Sequence, residues 1–128
     1  MYSRLVFVYE KLRALCQQME EYKQIIPTIH RRPRPRDFFD VYSVLRDSTI
    51  SVDIYAKENL DILRYVFAAK RVPLQFLKNL ENEREFHRQG FDAVRDTVNA
   101  GANLQPFDFY FDYVLGKVRD IIPLLAID

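Results

Sequence analysis

The stretch Arg34-Pro35-Arg36-Asp37-Phe38-Phe39-Asp40-Val41-Tyr42 concentrates residue types that handle phosphate and metal: two arginines, two carboxylates and three aromatics in nine residues. Metal-dependent phosphoryl transfer needs at least two convergent carboxylates, plus cations to hold a triphosphate. Asp37 and Asp40 stand three apart and share one edge of a helix, which makes them the candidate carboxylates. The same residues also read as a well-started helix with solvated arginines before it. Pro35 has its φ set for a first helical turn and no N–H to leave unpaired there. Asp37 then faces the positive end of the helix dipole, worth up to ~1 kcal/mol, and Asp40 is a solvated acid one turn on. A second stretch, Tyr9-Glu10-Lys11-Leu12-Arg13-Ala14-Leu15, likewise sets charges beside an apolar stripe.

Other chemistries find little support. There is no glycine-rich phosphate loop, no glycine fingerprint after a strand and no Cys/His metal spacing. His30 and His87 are the only histidines and Cys16 the only cysteine. Cys16 falls on an apolar stripe and reads as a small core residue. His87, in the charged run Arg84-Glu85-Phe86-His87-Arg88, reads as a surface or hydrogen-bonding residue. The net charge of +1 hides an asymmetry. Residues 1–46 carry +4 and the remainder −3, with His30, Arg31, Arg32, Arg34 and Arg36 clustered in the positive part. Such a run either binds phosphates or forms a solvated loop.

These residues must be positioned by helices. Leu5, Val8, Leu12, Leu15, Met19 and Tyr22 follow a three-four spacing, which predicts an amphipathic helix over about the first two dozen residues, capped by Ser3. Pro27, Pro33 and Pro35 exclude helix until a second one starts near Pro35, with Phe38, Val41, Tyr42 and Leu45 as its apolar face. Arg46-Asp47-Ser48-Thr49 reads as a turn. A third helix over Ala56 to Arg71, apolar more than halfway round through Ile62 and Tyr65, is expected to be central. Pro73 opens a short helix through Leu80. Glu81 to Gly90 reads as a polar loop. Asp92 caps another helix that stops near Asn99-Ala100-Gly101, and the last runs from Pro106 to about Ile122. The fold class is all-α, a compact single-domain bundle of five to six helices with short loops. The 128 residues, 48% hydrophobic and 29% charged, suit one soluble domain with a real core. The apolar runs are too short to span a bilayer and no signal peptide is visible. A cytoplasmic location is expected.

Several stretches resemble the AbiEii/AbiGii abortive-infection toxin nucleotidyltransferases. Glu10-Lys11-Leu12-Arg13-Ala14-Leu15-Cys16-Gln17-Gln18-Met19 is similar to a middle segment of that family. Arg34-x-Arg36-Asp37-Phe38-x-Asp40-Val41-Tyr42 resembles its later motif, an Arg-Asp followed by a second Asp and a Tyr. Val66 to Leu74, Arg84 to Arg88 and Leu104 to Tyr110 look like its helical C-terminal half. The resemblance implies the helical C-terminal portion of a type IV toxin–antitoxin nucleotidyltransferase that moves a nucleotide from a nucleoside triphosphate onto RNA. It implies Lys11 as the residue contacting triphosphate or ordering the site, Asp37 as the acid completing the pocket, and Arg36, Arg34 and Asp40 as substrate-binding neighbours. The family's metal-holding Gly-Ser/Asp-x-Asp motif is absent from the chain. No metal ligands are therefore assigned, and magnesium with a nucleoside triphosphate is expected only together with a separate catalytic half.

Three readings follow. The chain is the helical part of such an enzyme, inactive by itself. Alternatively it is a free-standing helical interaction module for an antitoxin or catalytic half, or a weak, non-specific nucleic-acid-binding domain using the arginine cluster. Lys11 and Asp37 are expected on facing surfaces of the first two helices, within about 12 Å, a little over a Debye length. The apolar flank of the first helix, with Val6 and Phe7, predicts a homodimer through that helix.

Overall fold

The computed structural model describes residues 3–98 and 103–127. Among them are six α-helices and no strand. Helix α1 spans Arg4–Cys16 and starts as the sequence predicts, with the Ser3 hydroxyl accepting from the Val6 N–H at 3.1 Å. Its stripe Val8, Leu12, Leu15 and Cys16 is buried, with Tyr9 beside it. Burial pushes the Cys16 thiol above its ordinary range, consistent with a packing role. The helix ends sooner than the periodicity suggests. The Gln18 carbonyl accepts from Arg31 Nε at 2.6 Å and its side-chain oxygen from the Arg32 N–H at 2.7 Å, so the chain turns there. A 3₁₀ segment, Glu20–Gln24, keeps Tyr22 buried, and its hydroxyl donates to the Lys70 carbonyl at 2.7 Å.

Helix α2, Pro35–Arg46, has Pro35 in its first turn and ends where Asp47 accepts from the Thr49 N–H (2.9 Å) and hydroxyl (2.6 Å). Arg4 pairs with Asp47, which ties the start of α1 to the end of α2. Helix α3, Lys57–Ala69, is preceded by an Asp53 side chain accepting from the N–H groups of Tyr55 and Ala56. It closes with Arg71 in the left-handed region (φ 58°) and a bond from the Val72 N–H to the Phe67 carbonyl at 2.9 Å, the pattern of a Schellman stop. The expectation that α3 is the central helix is corrected. Ile62 is 36% and Tyr65 74% exposed, so the side that seemed to widen its apolar arc faces solvent.

The centre is shared by α1, which packs on α2 and α3, and by α6, Phe107–Ile121, which packs on α2 and on α4, Arg84–Arg88. Between them runs a chain of 3₁₀ turns, Leu74–Glu83, that buries Leu77 and Leu80. The polar loop expected over Glu81 to Gly90 is also corrected. Glu83 closes the 3₁₀ run, and Arg84–Arg88 form helix α4. Helix α5 is Phe91–Thr97, with Gly90 rather than Asp92 at its N-cap position. Its expected stop at Asn99-Ala100-Gly101 lies outside the described residues. Helix α6 buries Phe107, Tyr110, Phe111 and Val114 on one face, as their spacing predicts, and a last 3₁₀ turn, Ile122–Leu125, follows. No helix of the described residues is long and apolar enough to cross a membrane.

Candidate functional site

Lys11 lies on α1 one turn after Phe7, and Asp37 in the first turn of α2. Because the two helices pack side by side, the Lys11 ammonium comes 3.1 Å from Asp37 Oδ1 and 3.5 Å from Asp40 Oδ2. The expected facing of Lys11 and Asp37 is therefore present, as direct contact. Asp37 is buried (3% exposed), which a lone carboxylate would not tolerate. Its charge is met by Lys11 and by the Arg34 guanidinium, whose Nε and Nη2 both donate to it. Arg36 Nε stands 3.5 Å from Asp40, and its Nη1 donates to the Thr97 hydroxyl of α5 at 3.1 Å. All five residues singled out in the sequence, Lys11, Arg34, Arg36, Asp37 and Asp40, thus form one connected cluster.

Three cations surround two carboxylates, which leaves one positive charge in excess. That composition does not fit a divalent metal, because the carboxylate oxygens are already occupied by guanidinium and ammonium groups. No group of three or more metal-ligating side chains occurs among the described residues. The arrangement suits an anion better. The Lys11 side chain is 23% exposed and its ammonium also lies 5.0 Å from the centre of the Phe7 ring, so it is oriented yet reachable. A phosphate arriving at this edge would meet Lys11, with Arg34 and Arg36 nearby.

The arginine run is not a free cationic loop. Arg31 is a staple: it donates to the Gln18 carbonyl, pairs with Glu83 at 2.8 Å and lies 4.0 Å over the Phe86 ring. Arg34 and Arg36 are paired to the aspartates, and His30, Arg32 and Arg36 are the exposed members of the run. Two surface concavities have no member of the cluster in their lining. One of about 680 Å³ is lined by Glu85, Arg88, Phe91, Arg95 and Phe107, and one of about 380 Å³ by Arg4, Phe7, Val44 and Asp47. The pairing of Lys11 with Asp37 is the stronger pointer to a site, since it buries charge whereas these grooves are open surface.

A model of the family described as "Nucleotidyl transferase AbiEii toxin, Type IV TA system" matches residues 1–113. The chain belongs to the AbiEii family. No curated protein and no solved structure matches it.

Of the two roles the sequence offers for His87, surface or hydrogen-bonding, it has the second and not the first. The charged run around it reads as a loop, yet His87 is fully buried on α4, and its Nδ1 accepts from the backbone N–H of Arg34 at 2.9 Å. Burial, opposed by Asp37 and reinforced by Arg31 and Arg34, lowers its pKa to about 4. A signal existed. Leu77, Leu80, Arg84, His87, Phe91 and Val94 keep a three-four spacing, and His87 occupies a core position in it.

Proposed function

We propose that this chain is the helical portion of an AbiEii-type nucleotidyltransferase, in which Lys11 contacts the triphosphate and Asp37, flanked by Arg34 and Arg36, holds Lys11 for that contact. The observation that carries the reading is the Lys11–Asp37 pair bridging α1 and α2 at 3.1 Å, between the two stretches that resemble family motifs. Asp40 shares the ammonium and tethers Arg36. The sequence has no Gly-Ser pair and no Asp-x-Asp spacing, so the metal-dependent attack belongs to a catalytic half supplied elsewhere. In this reading the chain alone transfers no nucleotide. It works in the cytoplasm with that half, with magnesium and a nucleoside triphosphate there, and within a toxin–antitoxin pair.

Two measurements test this. A nucleoside triphosphate should shield Lys11, and not the exposed Lys78, from acetylation; equal labelling of both with and without nucleotide would remove the triphosphate contact. Incubated with labelled nucleoside triphosphates, magnesium and total tRNA, the chain alone should leave the RNA unlabelled. Labelling that Asp37→Ala abolishes would show instead that the chemistry resides here.

The interaction-module reading shares this fold and gains support from the half-buried apolar edge of α1, Leu5 to Phe7. Pairing of two copies through that edge predicts a dimer in light scattering at micromolar concentration, and a clean monomer would discard it. The nucleic-acid reading is weakened by the engagement of Arg31, Arg34 and Arg36, and is reduced to weak, salt-sensitive RNA contact.

A further inference from the structure

The turn that carries Arg34 and Asp37 is gripped from outside by the elbow between α4 and α5. Arg34 lies between Pro33 and Pro35, neither of which has an N–H. Its own N–H is therefore the sole main-chain donor of that tripeptide, and it is received by His87 Nδ1. The Arg34 carbonyl accepts from the Asp37 N–H at 3.1 Å, and the Arg34 guanidinium reaches the Asp37 carboxylate. Three residues beyond His87, Gly90 comes so close that a Cβ there would lie 3.1 Å from Pro35 Cγ, 3.2 Å from Pro35 Cδ and 3.6 Å from Pro33 Cβ. The φ of Gly90 is −97°, an ordinary value, so it is space and not conformation that favours glycine.

The imidazole is itself informative. With Nδ1 accepting, a neutral ring carries its proton on Nε2, and Nε2 is buried without a partner. Phe38 and Phe86 flank the ring, at centroid distances of 5.3 and 5.1 Å. An apolar side chain would fill this space without a stranded N–H, whose burial is costly. Among the described residues, the one polar bond the ring makes is to Arg34.

We propose that His87 is a positioning residue for the Lys11–Asp37 site: its Nδ1 anchors the Arg34 peptide, and Gly90 lets the α4–α5 elbow press on the flanking prolines. The functional meaning of this anchor rests on the reading of Lys11 and Asp37 given above, but the test uses no nucleotide. Nitrogen NMR of the intact chain at neutral pH should show His87, identified by loss of its signals in His87→Asn, as the neutral ring with the proton on Nε2. Acetylation of Lys11 is then compared with that of Lys78 in each variant. His87→Phe keeps the volume but removes the acceptor, and should raise relative Lys11 labelling about threefold or more as the pair loosens, with helical circular dichroism retained. His87→Asn, whose Oδ1 stands where Nδ1 does, should restore the wild-type rate. A proton on Nδ1 in the wild type, an unchanged Lys11 rate in a folded His87→Phe, or a raised rate in His87→Asn each overturns the proposal. Should His87→Phe not fold, the wild-type tautomer and His87→Asn still decide. If nucleotide fails to protect Lys11 while these outcomes hold, the anchor stands and only the triphosphate contact falls.

Discussion

Asp37 accepts three charged donors from Lys11 and Arg34 in a setting almost closed to water, and this fixes an order of sensitivity among the cluster residues. Asp37→Asn removes the charge that both cations face and should cost about 2 kcal/mol in urea unfolding, the range for hydrogen bonds to charged groups. Lys11→Met leaves Asp37 its arginine and should cost under about 1 kcal/mol. Equal costs would mean that the pair is not arranged around the carboxylate. His87 adds a pH signature. Its folded pKa of about 4 lies below the ordinary 6.5, so between those values the unfolded chain binds a proton that the folded one refuses. Stability is full above pH 6.5 and falls as pH drops toward 4, by roughly 3 kcal/mol in all. Asp37 opposes this shift, while Arg31 and Arg34 reinforce it. Glu83, whose carboxyl burial pushes upward, works with the opposite sign at the acid end of the window. Urea midpoints at pH 7, 6 and 5 should decline in the wild type and flatten in His87→Asn. At this scale Lys11, Arg34, Arg36, Asp37 and Asp40 stand out through resemblance to family motifs, and the structure brings them into contact. Nothing in those motifs points to the imidazole behind them.

Element by element, readability followed how purely each helix shows its buried face. Helix α6 puts Phe107, Tyr110, Phe111, Val114 and Val118 on one side, and the sequence predicts its extent almost to the residue. Helix α4 escapes notice because its five residues carry charge on their outer side. Arg84 reaches Asp108 and Asp112, and Arg88 reaches Glu85 and Asp108, so only His87 turns to the core. A composition window averages such a segment into a loop. Helix α3 misleads in the opposite direction, since Ile62 and Tyr65 are apolar yet outward. Two glycines separate the effects of space and propensity. Gly116, inside α6, has nothing within 4 Å of the point a methyl group would occupy, so Gly116→Ala should stabilise by about 0.5–1 kcal/mol through helix propensity alone. Gly90→Ala must push on the rigid ring of Pro35 and should destabilise by about 1 kcal/mol or more. Thermal midpoints moving in the same direction for both would contradict the close fit of the elbow.

Across the whole molecule the site and the core share one backbone turn. Phe38 follows Asp37 immediately and is fully buried, with ring centroids at 5.3 Å from His87, 5.6 Å from Phe107 and 5.0 Å from Phe111. It joins α2, α4 and α6, while Asp37 beside it joins α2 to α1 through Lys11. Emptying this position should cost about 3–5 kcal/mol in Phe38→Ala, a large share of the ~5–15 kcal/mol that holds a domain of this size. Phe38→Leu keeps most of the volume and should cost less than half as much. Because the ring bridges three helices, the loss should fall on the entire chain rather than on α2 alone. Circular dichroism, which follows the helices, and tyrosine fluorescence, which follows the packing, should then give coincident unfolding curves in the wild type and both variants. Curves that separate in Phe38→Ala, with the tyrosine signal lost first, would show that α2 and its carboxylates detach from a surviving α1–α3 pair. The Lys11 site would then be a loosely docked feature and not part of the core.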